Sequence, residues 1–185
     1  MRTYTWTFLL VIYSATSFAQ LRCEKLVDTT SRVYFPCDSS LSMVVSKSKV
    51  TILFRRYSAL SIWEEYNIIS YQNDNQWHSY NLIHPDTTYY FYEVKAPRDS
   101  LLKLWNAVIS NKLFSITKEY LNDPNCDAII HDSHYYEFWI VSEDRYRRIR
   151  YYDPEYFESE CESSFERKQI ITCSNIFQDF ARRYK

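Results

Sequence analysis

Between His134 and Tyr152 the chain reads HYYEFWIVSEDRYRRIRYY, two runs of β-branched and aromatic residues around one polar break, Ser142-Glu143-Asp144-Arg145. That pattern predicts a two-stranded antiparallel hairpin turning at the break, around which the other elements must pack. With Val141 opposite Tyr146, the pairs run on as Ile140/Arg147, Trp139/Arg148, Phe138/Ile149, Glu137/Arg150 and Tyr136/Tyr151. Side chains alternate faces along a strand, so these pairs sort themselves. One face collects Tyr136, Phe138, Ile149 and Tyr151 as core. The other sets Glu137 opposite Arg150 and Trp139 opposite Arg148, an ion pair and a cation–π contact expected on a wetter surface. A slip of one residue would exchange the two faces, which fixes the register.

The rest of the chain supplies partners for this hairpin. Val50 to Tyr57 is β-branched and aromatic and predicts a strand. Ile62–Tyr71 and Trp77–Ile83 flank Asn73-Asp74-Asn75 and predict a second hairpin, with Tyr89–Lys95 as a further strand ended by Pro97. The period then changes. Leu101, Leu104, Trp105, Val108 and Ile109 follow helical spacing, so a helix begins at a cap on Asp99 or Ser100 and fades near Asn111. Ser163-Ser164-Phe165-Glu166 has the form of a capping box, and Ile170, Cys173, Phe177, Phe180, Ala181 and Tyr184 make one apolar stripe beyond it. The expectation is an α+β domain over residues 50–185, a single antiparallel sheet of about five to six strands with two main helices packed on one face. Residues 20–49, Ser-rich from Ser39 to Ser48, are expected to form an irregular N-terminal arm.

Residues 1–19 read as a signal peptide. Arg2 precedes the apolar run Trp6–Tyr13, and Ser17-Phe18-Ala19 fits a cleavage site. The run is about half the ~20 residues a membrane span needs, so no transmembrane anchor is expected after cleavage, and the location implied is secreted or periplasmic. The chain contains no glycine, which excludes a P-loop, a dinucleotide-binding GxGxxG turn and a GxSxG nucleophile elbow. Turns must fall to Asn, Asp and Pro, as in Asn73-Asp74-Asn75 and Tyr152-Asp153-Pro154. With a net charge of −1, composition gives no reason to expect nucleic-acid binding, and no cofactor is implied.

An oxidising compartment favours disulfides among the five cysteines. If residues 166–185 are helical, Cys173 lies about 15 Å along the axis from the cap, beyond reach of Cys161. The expected bridges are therefore Cys23–Cys37 and Cys126–Cys161, with Cys173 a buried free thiol.

Two sets of residues could carry function. The leading expectation is a non-catalytic domain that binds a protein or cell-envelope partner through the hairpin face bearing Trp139, Tyr146, Arg148 and Arg150. The alternative is a metal-dependent or hydrolytic enzyme centred on His131, Asp132 and His134, where ligand-type side chains crowd one loop. The acidic run Asp153–Glu162 is expected to balance the arginines Arg145–Arg150.

Overall fold

A computed structural model describes residues 39–58, 60–61, 63–85, 88–116, 126–142 and 145–184. Their elements are α1 (Ser39–Ser46), β1 (Ser48–Ser58), β2 (Glu64–Gln72), β3 (Trp77–His84), β4 (Tyr90–Glu93), α2 (Arg98–Ser110), a 3₁₀ turn (Leu113–Ser115), β5 (His134–Ser142), β6 (Arg145–Tyr152), α3 (Pro154–Glu160) and α4 (Phe165–Tyr184). The six strands form one sheet in the order β4-β3-β2-β1-β5-β6, and every neighbouring pair is antiparallel. The class is α+β. The segment containing residues 1–38 lies outside the described residues, and with it the expected signal peptide and the expected Cys23–Cys37 bridge.

The β5–β6 hairpin has the register read from its sequence, Tyr136 opposite Tyr151 through Val141 opposite Tyr146. Strand β1 pairs with β5 from Val50 to Ser58, so Ile52 faces Ile140 and Phe54 faces Phe138. Alternation then builds one core from Ile52, Phe54, Ile69, Tyr136, Phe138, Ile140, Ile149 and Tyr151, and the same cluster holds Leu101, Leu104 and Val108 of α2 with Ile170, Cys173 and Phe177 of α4. Phe177 packs its ring 5.6 Å from Phe54 and 5.7 Å from Phe138, which ties the last helix to the two central strands.

The opposite face is a second core rather than a wet surface. It gathers Leu53, Tyr66, Ile68, Tyr80, Leu82, Trp139 and Val141 under Leu41, Val44 and Val45 of α1. Thus part of the arm expected to be irregular is a helix, whose three buried apolar residues fall at i, i+3 and i+4. Serines close its C-terminal end: Ser46 Oγ donates to the Met43 carbonyl at 2.9 Å, and Ser48 Oγ at the start of β1 donates to the Val44 carbonyl at 2.6 Å and meets Ser70 Oγ at 2.8 Å. Trp139 is 1 % exposed and Glu137 fully buried as a result.

Helix boundaries follow local chemistry. Helix α4 is capped one residue later than its sequence indicates: Ser164 Oγ accepts from the Arg167 amide at 3.4 Å, and Glu158 of α3 accepts from the Ser164 amide at 3.1 Å. Glu158 therefore does for Ser164 what Glu166 was expected to do for Ser163. Helix α3 arises in the acidic run, where Asp153 takes a left-handed backbone (φ 33°), its side chain accepts from the Tyr156 amide, and Pro154 fills the first turn. Without glycine, Asn75 (φ 61°) and Asp132 (φ 57°) make the same conformation elsewhere, the side chains that tolerate it best. Cys126 and Cys161 are bridged, with Cα atoms 5.6 Å apart, tying the segment before β5 to the end of α3; Cys173 is free and buried.

Candidate functional site

Three adjacent strands set their side chains in rungs across the α1 side of the sheet. Arg55 of β1 faces Glu137 of β5, which faces Arg150 of β6; one rung away Tyr57 faces Tyr135, which faces Tyr152; on the other side Leu53 faces Trp139, which faces Arg148. Glu137 is the hub. Its Oε2 accepts from Arg55 Nε at 2.8 Å and lies 2.7 Å from Arg55 Nη2, while its Oε1 accepts from Arg148 Nε at 2.5 Å. Arg55 also pairs with Glu64, and Tyr66 donates to Glu64 Oε2 at 3.1 Å. A buried carboxylate is tolerated only when paired and hydrogen-bonded, and here two guanidiniums supply both. The expected Glu137–Arg150 ion pair is replaced by Glu137 with Arg55 and Arg148.

Arg150, displaced from that role, lies on aromatic faces. Its guanidinium carbon is 3.9 Å from the centre of the Tyr135 ring and 5.8 Å from that of Tyr57. Tyr135 in turn stacks on Tyr57 at 5.2 Å and packs against Tyr152 at 4.8 Å. Among the described residues no carboxylate lies within ion-pair distance of Arg150, and its Nε is enclosed with no hydrogen-bond acceptor. Arg55 stacks on Tyr57 at 3.9 Å and Arg148 lies 5.4 Å from the Trp139 ring, the cation–π contact expected from the sequence.

Burial and neighbouring charge shift Arg55, Tyr57 and Tyr66 on this face. Burial works against the charge of Arg55, but Tyr66, Glu137 and Glu64 outweigh it and hold its pKa above the ordinary range. Burial, with Glu137 adding to it, pushes the Tyr57 phenol up; burial does the same to Tyr66, against the pull of Arg55. At neutral pH Tyr57 and Tyr66 are neutral phenols and Arg55 is a cation.

Of the residues nominated from sequence, the structure joins Trp139, Tyr146 and Arg148 in one contact group, with the Trp139 and Tyr146 rings 5.8 Å apart, and Arg150 in the next rung. Trp139 is enclosed beneath α1 rather than displayed on a free surface. Tyr57, Tyr135 and Arg55 went unnominated; Arg55 and Tyr57 come from a strand about 80 residues away in the chain, and only the strand pairing brings them together. The histidine set is dispersed. His131 and Asp132 are exposed on the loop, whereas His134 begins β5 opposite Ser58. Among the described residues no three His, Cys, Asp or Glu side chains gather closely enough to hold a metal ion. The acidic run spends its charge locally: Glu158 meets Arg167 at 3.2 Å and Lys168 at 3.7 Å, and Glu155 accepts from Tyr136 at 2.6 Å.

A groove of about 280 Å³ lies between α2 and α4, lined by Leu104, Ala107, Ile176 and Phe180 with Lys103, Asp179 and Arg183, apart from these rungs. No helix among the described residues is long and apolar enough to cross a membrane. Compared with known proteins, the chain matches no family model and no curated relative.

Proposed function

We propose that this protein is a non-catalytic binding domain, acting in the periplasm or outside the cell, whose Tyr57–Tyr135–Tyr152 rung and Arg150 receive an acidic group of a protein or cell-envelope partner. The observation that carries this reading is the state of Arg150: a guanidinium 3.9 Å over the Tyr135 ring with, among the described residues, no carboxylate to answer it, beside two arginines that both have one. Orientation by an aromatic face lowers the rotamer entropy lost when such a group binds, and the guanidinium fork matches a carboxylate in two hydrogen bonds. Tyrosine and arginine are also the residues that interfaces favour. The Cys126–Cys161 bridge is compatible with an oxidising compartment.

Calorimetric titration with poly-L-glutamate at low salt tests it. Binding is expected for the wild type, weakened about tenfold, the equivalent of ~1.4 kcal/mol, in Arg150→Ala. Arg150→Lys should fall between, since an ammonium keeps the charge and loses the fork. Equal binding by wild type and Arg150→Ala would overturn the assignment.

A further inference from the structure

The two edges of the sheet are unlike. Strand β6 carries Arg147, Arg148 and Arg150, the kind of charge that protects an edge from pairing. Strand β4 at the other end has no strand on its outer side among the described residues: Tyr89, Tyr90 and Tyr92 are 42 %, 56 % and 40 % exposed, and β4 has neither a proline nor a cation within it. We propose that β4 pairs antiparallel with β4 of a second copy of this chain, joining two six-stranded sheets edge to edge.

Backbone polarity fixes how. The Val94 amide donates to the Ser79 carbonyl at 2.8 Å, so Val94 turns its backbone groups toward β3. Successive residues of a strand turn theirs to opposite sides, so Tyr92 and Tyr90 also face β3, while Phe91 and Glu93 point their N–H and C=O groups away from the sheet. An incoming strand must meet those two residues. A two-fold axis through Tyr92 places Phe91 opposite Glu93 of the other copy, and the reverse, which satisfies every outward group of β4 with four hydrogen bonds from strand residues alone.

The side chains agree with that register. Tyr92 meets Tyr92 of the second copy across the axis, in the closer, non-hydrogen-bonded type of pair that suits rings. Lys95, exposed, falls opposite Tyr89, also exposed, a cation facing an aromatic ring. The two Glu93 carboxylates come diagonally near each other, but each already has its own His78 at 3.2 Å. So short a strand buries little, which puts the pair in the class of weak interfaces, below about 1,200 Å².

Sedimentation equilibrium of the purified chain across about 10 to 500 µM, the range where a small interface associates, tests this. A concentration-dependent dimer is expected, lost in Phe91→Pro, which deletes an outward N–H together with the ring that stacks on Tyr80 at 5.1 Å, and weakened in Tyr92→Lys, which sets two cations across the axis. Amide exchange gives a second readout that does not depend on variants. The Phe91 and Glu93 amides should slow as concentration rises, and the Tyr92 amide, already bonded to β3, should not change. A monomer at every concentration, or a dimer that survives both substitutions, would overturn the proposal. So would concentration-dependent protection elsewhere with none at Phe91 and Glu93.

Discussion

Replacing Glu137 by Gln removes one negative charge from between two guanidiniums while keeping the volume of the side chain. Glu137 is fully buried and Arg55 and Arg148 have side chains only 11 % and 14 % exposed, so neither cation regains water by a small movement. Three N–H groups now point at the carboxylate; after substitution one of the two oxygens becomes an NH₂ group facing a donor. Removing one partner of a buried charge set costs about 3 to 5 kcal/mol. Glu64 still answers Arg55, which argues against anything higher. Urea unfolding followed by circular dichroism should show that loss as a lower midpoint with an unchanged slope. Thermal melting should fall by roughly 6 to 20 °C for a domain of this size. In the double variant Glu137→Gln/Arg148→Met the second change should recover part of the loss, with a coupling of about 1.5 kcal/mol or more. A single-variant loss under about 1 kcal/mol would refute the reasoning, because it would mean that the guanidiniums are hydrated and that Glu137 does not organise the face.

Phe177→Ala, which empties the contact of α4 with Phe54 and Phe138, should cost about 3 to 5 kcal/mol in the same assay; an exposed-residue value near zero would place α4 wrongly. Glu158 is held below the usual carboxylate range: burial opposes this, but hydrogen bonds from Ser163, the Ser164 amide and Arg167 outweigh it. Its contribution is therefore present above the unfolded pKa and lost as pH falls through the folded one, so an acid titration of stability should lose a component in Glu158→Gln that the wild type shows below about pH 4.5. Burial pushes the Cys173 thiol up to about 12, so alkylation at pH 8 should label it only on unfolding. Cys126→Ser with Cys161→Ser, opening a loop of 35 residues, should cost about 4 kcal/mol by the chain-entropy estimate.

What the sequence revealed and what it concealed divide by the range of the interactions. The β5–β6 register was legible because period-two alternation and a single polar break are local properties, and Tyr136 through Val141 pair as they read. The stripe of α4 was legible for the same reason. Helix α1 was hidden by composition: five of its eight residues are Ser or Met, and Leu41, Val44 and Val45 signal a helix only once a sheet face is there to bury them. Helix α3 was hidden by its charge, although Asp153-Pro154 is a usable start signal.

The error at Glu137 explains the candidate site. Glutamate and arginine on alternate positions of a hairpin read as a solvated face when the hairpin is considered alone, and direct opposition names Arg150 as the partner. In the sheet β5 is an interior strand, so Glu137 has neighbours on both sides, and α1 covers the surface above Trp139. Arg55, 82 residues earlier, can then reach one carboxylate oxygen with two N–H groups, and Arg148 takes the other from the adjacent rung. Both oxygens of the carboxylate are engaged by other guanidiniums, and Arg150 lies instead on the tyrosines of the next rung. The unanswered charge is thus a consequence of how the interior carboxylate is satisfied. It follows that Arg55→Met, by freeing one oxygen of Glu137, should draw Arg150 off Tyr135 and weaken acidic-probe binding although Arg55 itself contacts no probe.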